Sequence, residues 1–472
     1  MRGVLLATRN ATLTIGEAAT AANGLVSGGA AGAAFAGVSI DSRTITPGQL
    51  FVAIVGPRFD GHAFLAEVAA KGAAGAMVHR DVPAPAGLPL VRVAETTAAL
   101  ADLARHVRRT AGIPVVAITG STGKTTTKEM TAALLEARGP VLRTEGNLNN
   151  QYGLPLMLLK LGPEHEAAVL ELGMSAAGEL RALSRTALPD VAVITNVAPV
   201  HLEFFASLDA IAEAKAEILE GLGASGVAVL NGDDPRLRRI GERHSGRVIW
   251  FGHDRRYDVS AEKWRGTAFG MRFDLVLGGR ALDVVLPLAG PHFVSNFLAA
   301  AAVAHHLGIA PEAIAETATQ LEAAPHRGQL LRLDQGVMLV DDCYNSNPLA
   351  VQAAVAALGM AGGRRRVAIL GDMLELGPTG PELHRQTGEQ VAASVDVVAG
   401  VGALAAELVA GARAVKPNLE THHFADCAAA AAALPGLVRA GDAVLVKGSR
   451  GVRMETLVDG LVQRFGKADG ER

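Results

Sequence analysis

The stretch VVAITGSTGKTTT, from Val115 to Thr127, concentrates residue types that can hold a polyphosphate. Backbone N–H groups of the small-residue turn Gly120-Ser121-Thr122-Gly123 can converge on an anion, and the helix start that follows adds partial positive charge. Lys124 can reach the outer phosphates, the Thr125 hydroxyl can ligate a magnesium ion, and Thr126 extends the polar rim. A nucleoside triphosphate is the natural occupant. The common form of the pattern begins with a glycine where this chain has Ile118, so the match holds only from Gly120 onward. By itself the loop leaves an ordinary strand-to-helix turn open.

Other chemistry-bearing residues fall at the ends of predicted strands. A strand over 167–172 delivers Glu171, and one over 191–195 delivers Asn196. In a parallel sheet such ends line one crevice with the phosphate loop. Between them, Gly146-Asn147-Leu148-Asn149-Asn150-Gln151-Tyr152-Gly153 is a run of amides that either orients an anion through Asn149 and Asn150 or forms a turn. His201 follows the second strand. Lys215 sits among Glu213, Glu217 and Glu220 on a helix predicted over 208–222, where both a functional role and a solvated helix face fit.

These residues need elements to position them. Up to about residue 110, short strands (37–40, 50–54, 75–79, 90–93) alternate with alanine-rich helices, giving a small α/β domain with Asp41-Ser42-Arg43 and Phe59-Asp60-Gly61-His62 as its polar clusters. Arg43 could fork onto a phosphate beside Ser42, or form a surface ion pair. The middle region continues with Asn231-Gly232-Asp233-Asp234, antiparallel hairpins over 259–286 and a helix over 294–307 bearing Asn296. From about Pro325, Arg327 precedes a strand over 336–340 that runs into Asp341-Asp342-Cys343-Tyr344-Asn345-Ser346-Asn347-Pro348. Later strands alternate with helices as in a doubly wound domain, and two loops, Gly371 to Gly377 and Lys447 to Arg450, follow strand ends. Gly400-Val401-Gly402-Ala403-Leu404-Ala405 matches a dinucleotide fingerprint, with Glu420 at the distance of a ribose-binding acid; abundant alanine and glycine make chance the better explanation.

Composition narrows the function classes. The chain has 472 residues, enough for about three domains. Its 44 Lys plus Arg against 47 Asp plus Glu leave a formal charge of −3, so no broad basic field exists for nucleic acid, and aromatics at 4% give few stacking platforms. Cys343 and Cys427 form no CxxC pair, which argues against a disulfide framework or a structural zinc and fits a reducing cytoplasm. Apolar runs stop well short of the roughly 18 residues that span a bilayer, and MRGVLLATRN has too short an apolar run for a secretory signal. A cytoplasmic protein without a membrane segment is expected.

Taken in order, DSR, FDGH, TGSTGKTTTKE, GNLNNQYGLP, ELG at Glu171, ITN with His201 and AKAEI at Lys215, LNGDDP, DDCYNSNP, LGDMLELG and KGSRGVRME resemble the Mur ligases, the ATP-dependent amide-forming enzymes of peptidoglycan assembly. The resemblance covers the whole chain, and DDCYNSNP with GDMLELG points to the branch that adds D-alanyl-D-alanine to UDP-N-acetylmuramoyl-tripeptide. It implies an α/β fold of three domains: an N-terminal nucleotide-sugar-binding domain (1–112), a central P-loop ATPase domain with a parallel sheet (113–324) and a C-terminal Rossmann-like domain (325–472). It also implies that Gly120 to Thr126 hold the ATP phosphates. Thr125 and Glu171 would ligate one magnesium, His201 and a carbamylated Lys215 a second, with Lys124, His201 and Lys215 serving catalysis. Asn296 would contact adenine, although Phe293 replaces an asparagine often found there. Arg327, Asp342 and Asn345 would close over the nucleotide, and Ser42, Arg43, Asn149 and Asn150 would bind substrate. A monomer is expected. The rival readings are a folylpolyglutamate- or cyanophycin-type ligase and a P-loop nucleotide switch.

Overall fold

Runs of β-branched and small apolar residues without polar interruption make strands that can be covered on both faces. Val115–Thr119, Ala167–Glu171 and Val191–Ile194 are buried along their whole length. The computed structural model describes residues 13–199, 205, 207–267, 270–360 and 363–468. It divides into two units, one formed by Met1–Ile118, Arg138–Ala192 and Ala216–Val227, the other by Thr119–Ala137, Val193–Lys215 and Ala228–Arg472.

The first unit contains a five-stranded sheet in the order Leu25–Ser27, Leu90–Arg92, Gly75–Val78, Leu50–Val52, Val38–Ser39. Its first pair is antiparallel and the others are parallel. Alternation along these strands sends Leu50, Val52, Met77 and Val91 to one core, with Leu100 and Leu103 of the helix Thr96–Ala111. Phe51, Ala76, Val78 and Leu90 pack in a second core on the other side. The exposed edge strand Leu25–Ser27 has no apolar alternation and was not legible in the sequence. Val115–Thr119 pairs in parallel with Ala167–Glu171, which pairs in parallel with Val141–Arg143.

In the second unit, the strands Val227–Asn231, Arg247–Gly252, Val259–Thr267, Gly270–Leu277 and Arg280–Leu286 lie side by side in that order, ending in the antiparallel hairpins expected over 259–286. The helix Pro291–His306 starts three residues earlier than expected because Pro291 supplies a preset N1 residue. It is buried nearly all round, from Phe293 to Ala304, which is why it reads as an alanine-rich apolar run. A six-stranded sheet follows, ordered Gln329–Leu333, Val337–Asp342, Asp442–Lys447, Arg365–Gly371, Val397–Val401, Glu420–Phe424. All its neighbours are parallel except the first pair. The three loops DDCYNSNP, KGSR and GDMLELG leave the carboxyl ends of three adjacent strands, so they share one edge of this sheet.

The helix expected over 208–222 is shorter. It runs Leu208–Ala216 and tightens into a 3-10 turn, Glu217–Gly221. Gly178 N–H donates to both Glu217 carboxylate oxygens, at 2.8 and 2.9 Å, and fixes that turn.

Candidate active site

The phosphate loop is held by the strand end beside it. Asn196 Oδ1 accepts from Thr122 N–H at 3.0 Å and its Nδ2 donates to Thr122 Oγ1 at 2.8 Å. Ser121 N–H donates to the Asn196 carbonyl at 3.1 Å, and Thr195 Oγ1 donates to the Thr122 carbonyl at 2.6 Å. Asn196 is therefore a clamp on the loop. Asn231 and Asp234 of the LNGDDP segment extend that clamp, Asn231 Nδ2 donating to the Thr195 carbonyl at 2.9 Å and Asp234 Oδ2 accepting from Val197 N–H at 3.0 Å.

Two glycines make the loop shape possible. Gly120 has φ +153, and a Cβ there would lie 1.9 Å from Thr195 Oγ1. Gly123 caps the helix Lys124–Leu135 at φ +79, in the left-handed region where only glycine is unstrained. A Cβ at Gly123 would come within 2.3 Å of Asn296 Oδ1, so Asn296, 6% exposed, reaches the first turn of the phosphate-loop helix. Lys124 folds its ammonium onto the Gly120 carbonyl at 2.8 Å. Thr126 is buried in the first turn of the same helix.

Lys215 is 2% exposed. Burial, and after it the nearby Lys124 ammonium, push its amine well below the ordinary lysine range. The solvated-face reading of Lys215 thus fails on burial alone. His201 lies outside the described residues.

Glu171 is 4% exposed. Register pairs it with Ile118, two residues before Gly120 in sequence. Its backbone N–H donates to Thr144 Oγ1 at 2.9 Å, and its Oε1 accepts from Asn149 Nδ2 at 2.9 Å. Asn150 behaves differently: its Oδ1 accepts from Tyr152 and Gly153 N–H at 3.1 and 2.9 Å, a turn-capping role. The amide run is thus partly a turn and partly the support of a carboxylate.

In the N-terminal sheet region, Arg43 forks onto Asp41 at 2.9 and 2.7 Å and holds that carboxyl down to about 2. The Arg43 side chain is 84% exposed, so an incoming anion would compete with Asp41 for it. Ser42 is buried, and its carbonyl accepts from Lys71 Nζ at 2.7 Å.

At the carboxyl edge of the six-stranded sheet, Lys447 Nζ lies 2.6 Å from Asp342 Oδ2 and donates to the Asn345 carbonyl at 2.9 Å. The Arg327 guanidinium stacks 3.9 Å from the Tyr344 ring centroid, with Arg450 at 4.9 Å. Tyr344 had no role in the sequence reading; an aromatic between acids and amides was the available signal. Ser449 Oγ accepts from Leu374 N–H at 2.9 Å and joins the KGSR and GDMLELG loops. His292 faces a small cavity lined by Phe293, Gly328, Val340 and Asp342. Burial pulls its pKa down to about 4, and its Nδ1 has no hydrogen-bond partner among the described residues.

The dinucleotide fingerprint is filled by the chain itself. Asp372 Oδ1 accepts from Ala405 N–H at 2.8 Å, and a Cβ at Gly402 would lie 2.5 Å from the Asp372 carboxylate carbon. Glu420 is paired with Arg365 at 3.0 Å.

Residues 118–304 match the Mur ligase middle domain, 326–450 the Mur ligase glutamate ligase domain and 34–108 the Mur ligase family catalytic domain. UDP-N-acetylmuramoyl-tripeptide--D-alanyl-D-alanine ligase of Escherichia coli (strain K12) is 38% identical over 429 residues, covering 90% of this chain and 93% of that one. The chain belongs to the Mur ligase family. The Bacillus subtilis (strain 168) ligase of the same name is 35% identical over 430 residues, with 90% and 93% coverage. Among solved structures, MurF from Acinetobacter baumannii superposes at a TM-score of 0.87 with 33% identity, covering 95% of this Mur ligase and 98% of that chain. MurF from Thermotoga maritima in complex with ADP gives 0.80 at 32% identity, over 90% and 97%. Folylpolyglutamate synthase of Mycobacterium tuberculosis, at 18% identity and a TM-score of 0.59, shares the fold alone. This Mur ligase thus has the α/β architecture with several parallel sheets expected of it. Among the described residues no helix is long and apolar enough to cross a membrane.

Proposed function

We propose that this Mur ligase joins D-alanyl-D-alanine to UDP-N-acetylmuramoyl-tripeptide with ATP, through an acyl phosphate, forming the pentapeptide precursor of peptidoglycan and releasing ADP and phosphate. The observation that carries this reading is the 38% identity over 90% of the chain to a ligase of that name, together with a phosphate loop clamped by Asn196. The domains are assigned as 1–112 for the uridine nucleotide, 113–324 for ATP and 325–472 for closure. The chain is taken to act as a cytoplasmic monomer, where its nucleotide substrates are made.

The residue chemistry suits the task. A carboxylate is a poor electrophile until phosphorylated, and its activated form is hydrolysed by water, so the protein must position two anions and exclude solvent. Lys124 would exchange the Gly120 carbonyl for a phosphate oxygen, and the partial positive charge of the helix start favours the negative charge that develops in transfer. Arg327, Asp342 and Asn345 bring donors and an acceptor to the nucleotide, and Asn296 lies at the loop helix. Ser42, Arg43, Asn149 and Asn150 are assigned to the substrate side.

Magnesium would be held by Thr125 and Glu171 at one position and by His201 and carbamylated Lys215 at another. Bound there, it neutralises phosphate charge. Two features fit this assignment: Glu171 is aimed by Asn149, and Lys215 is a buried amine whose charged form is disfavoured by burial. The neutral amine can attack carbon dioxide, losing one proton to solvent and becoming a carbamate, whose negative charge suits both Lys124 and a hard cation. No Ser or Cys nucleophile is required, since substrate groups make and break the bonds.

The test is incubation with ATP, magnesium, the tripeptide nucleotide and D-alanyl-D-alanine, followed by mass spectrometry. The expected product has the summed mass of the two substrates less one water, and its formation requires ATP. Phosphate release that proceeds equally without either acceptor or donor peptide would overturn the reading in favour of a nucleotide switch.

A further inference from the structure

Strand geometry and one loop residue assemble a donor set that the ligation chemistry does not use. Asp341 lies in the strand Val337–Asp342 and Cys343 is the first residue past it, and the strand's two-residue alternation carries on, since Val337, Leu339 and Cys343 share one core. His326, at φ 61, turns its ring onto Asp341 and Cys343. Its Nδ1 lies 2.7 Å from Asp341 Oδ2 and 3.5 Å from Cys343 Sγ. All three ligating atoms fall within 4.8 Å of one another. Asp341 and Cys343 are each 2% exposed, whereas the His326 side chain is 42% exposed and opens the cluster to solvent on one side.

We propose that His326, Asp341 and Cys343 form a binding site for a thiophilic divalent transition ion of the zinc class, with the fourth position left to water, and that its occupancy arrests ligation. The donor types select the ion: imidazole and thiolate favour zinc or cobalt over magnesium, which prefers an all-oxygen shell. The geometry is close to what is needed. Zinc bond lengths of about 2.0 Å to nitrogen or oxygen and about 2.3 Å to sulfur put tetrahedral ligand atoms roughly 3.3 to 3.7 Å apart. The nitrogen-to-sulfur spacing of 3.5 Å already meets this, and the nitrogen-to-oxygen spacing of 2.7 Å must open by about 0.6 Å. On binding, the Cys343 thiol gives its proton to solvent. The resulting thiolate and the Asp341 carboxylate balance the ion's charge in a buried setting.

The arrest follows from adjacency and rests on the nucleotide-closing role proposed for Arg327 and Asp342. These residues are sequence neighbours of the ligands, and Tyr344, which stacks on Arg327, donates its N–H to the His326 carbonyl at 3.1 Å. Fixing His326 and opening its contact with Asp341 displaces both.

Cobalt(II) titration of the full chain tests binding without reference to catalysis. The expected result is a one-to-one isotherm with a sulfur-to-cobalt charge-transfer band and tetrahedral visible bands, lost in Cys343→Ser and weakened at least about tenfold in His326→Gln. Absence of the band, or an unchanged isotherm in Cys343→Ser, overturns the site. In the second arm, zinc added at saturating magnesium should abolish turnover of the native chain, reversibly with a chelator, and leave Cys343→Ser active. Binding with unchanged turnover overturns the arrest while leaving the site. A chain that binds cobalt but ligates nothing under any condition overturns the proposed function instead.

Discussion

The side-chain amide of Asn149 donates to Glu171 Oε1 across 2.9 Å. An amide orients the carboxylate without altering its charge. Asn149→Ala removes a hydrogen bond to a charged group, worth about 1.5 to 3 kcal/mol. Turnover should fall roughly tenfold, and the magnesium concentration for half-maximal rate should rise. Asn149→Asp should do worse, because like charges resist sharing a site. Magnesium titrations of initial rate check both; unaltered curves would leave Asn149 as a turn residue only.

Gly123→Ala adds a Cβ where φ is +79 and Asn296 Oδ1 would be 2.3 Å away. Left-handed strain alone costs about 1 to 2 kcal/mol, and the loop must also shift. ATP affinity is expected to drop by at least about tenfold, measured by nucleotide fluorescence titration. Gly146→Ala, at φ +54 with nothing within 4 Å, meets strain but no clash, and its ATP affinity should stay near the native value.

Lys215→Ala should lower turnover roughly a hundredfold and recover part of it with formate or acetate, which supply the missing carboxylate. The native enzyme, depleted of carbon dioxide, should lose activity and regain it with bicarbonate. Unchanged turnover in the variant would make the buried lysine structural.

His292 gives a pH signature. Its folded value of about 4 is below its ordinary 6.5. Between those values the unfolded chain binds the extra proton, so this residue's contribution to stability is full above pH 6.5 and is lost as pH falls toward 4. The whole effect is at most about 3 kcal/mol. Tm measured from pH 7 to pH 4 should fall more steeply for the native chain than for His292→Phe; parallel curves would disprove the assignment.

Asp372→Ala removes the acceptor at the start of the helix Ala405–Val415, a cap worth about 1 kcal/mol. Thermal melting should shift down by a few degrees. Titration of the native chain with reduced nicotinamide dinucleotide should show no fluorescence change, since the Asp372 carboxylate occupies the glycine-rich turn.

Much of this was readable in advance because buried parallel strands announce themselves as uninterrupted apolar runs, as in 115–119 and 443–446. The phosphate loop was legible from its glycines and lysine. Leu25–Ser27, Val141–Arg143 and Glu420–Phe424 were missed because edge strands need only one partner and carry mixed polarity. Asn196 was seen at a strand end, but that its two side-chain atoms would be spent on Thr122 depends on tertiary geometry. Lys215 could not be separated from a solvated lysine, since helical spacing among glutamates says nothing of burial. The pairings of Arg327 with Tyr344 and of Lys447 with Asp342 join residues far apart in sequence, and no local pattern encodes them.

The helix Pro291–His306 packs beside the phosphate-loop helix Lys124–Leu135, with Asn296 against Gly123. The middle of the first helix, Ala299 to Ala302, is a fully buried run of alanines, so even a Val at 299 or 302 would act as a wedge rather than a filler. Because Asn296 belongs to the same helix and meets Gly123 at the seam between the two, a purely steric change at 299 or 302 would be felt as weaker ATP capture. The seam is thus a place where enzyme output can be tuned, up or down, by side-chain volume alone.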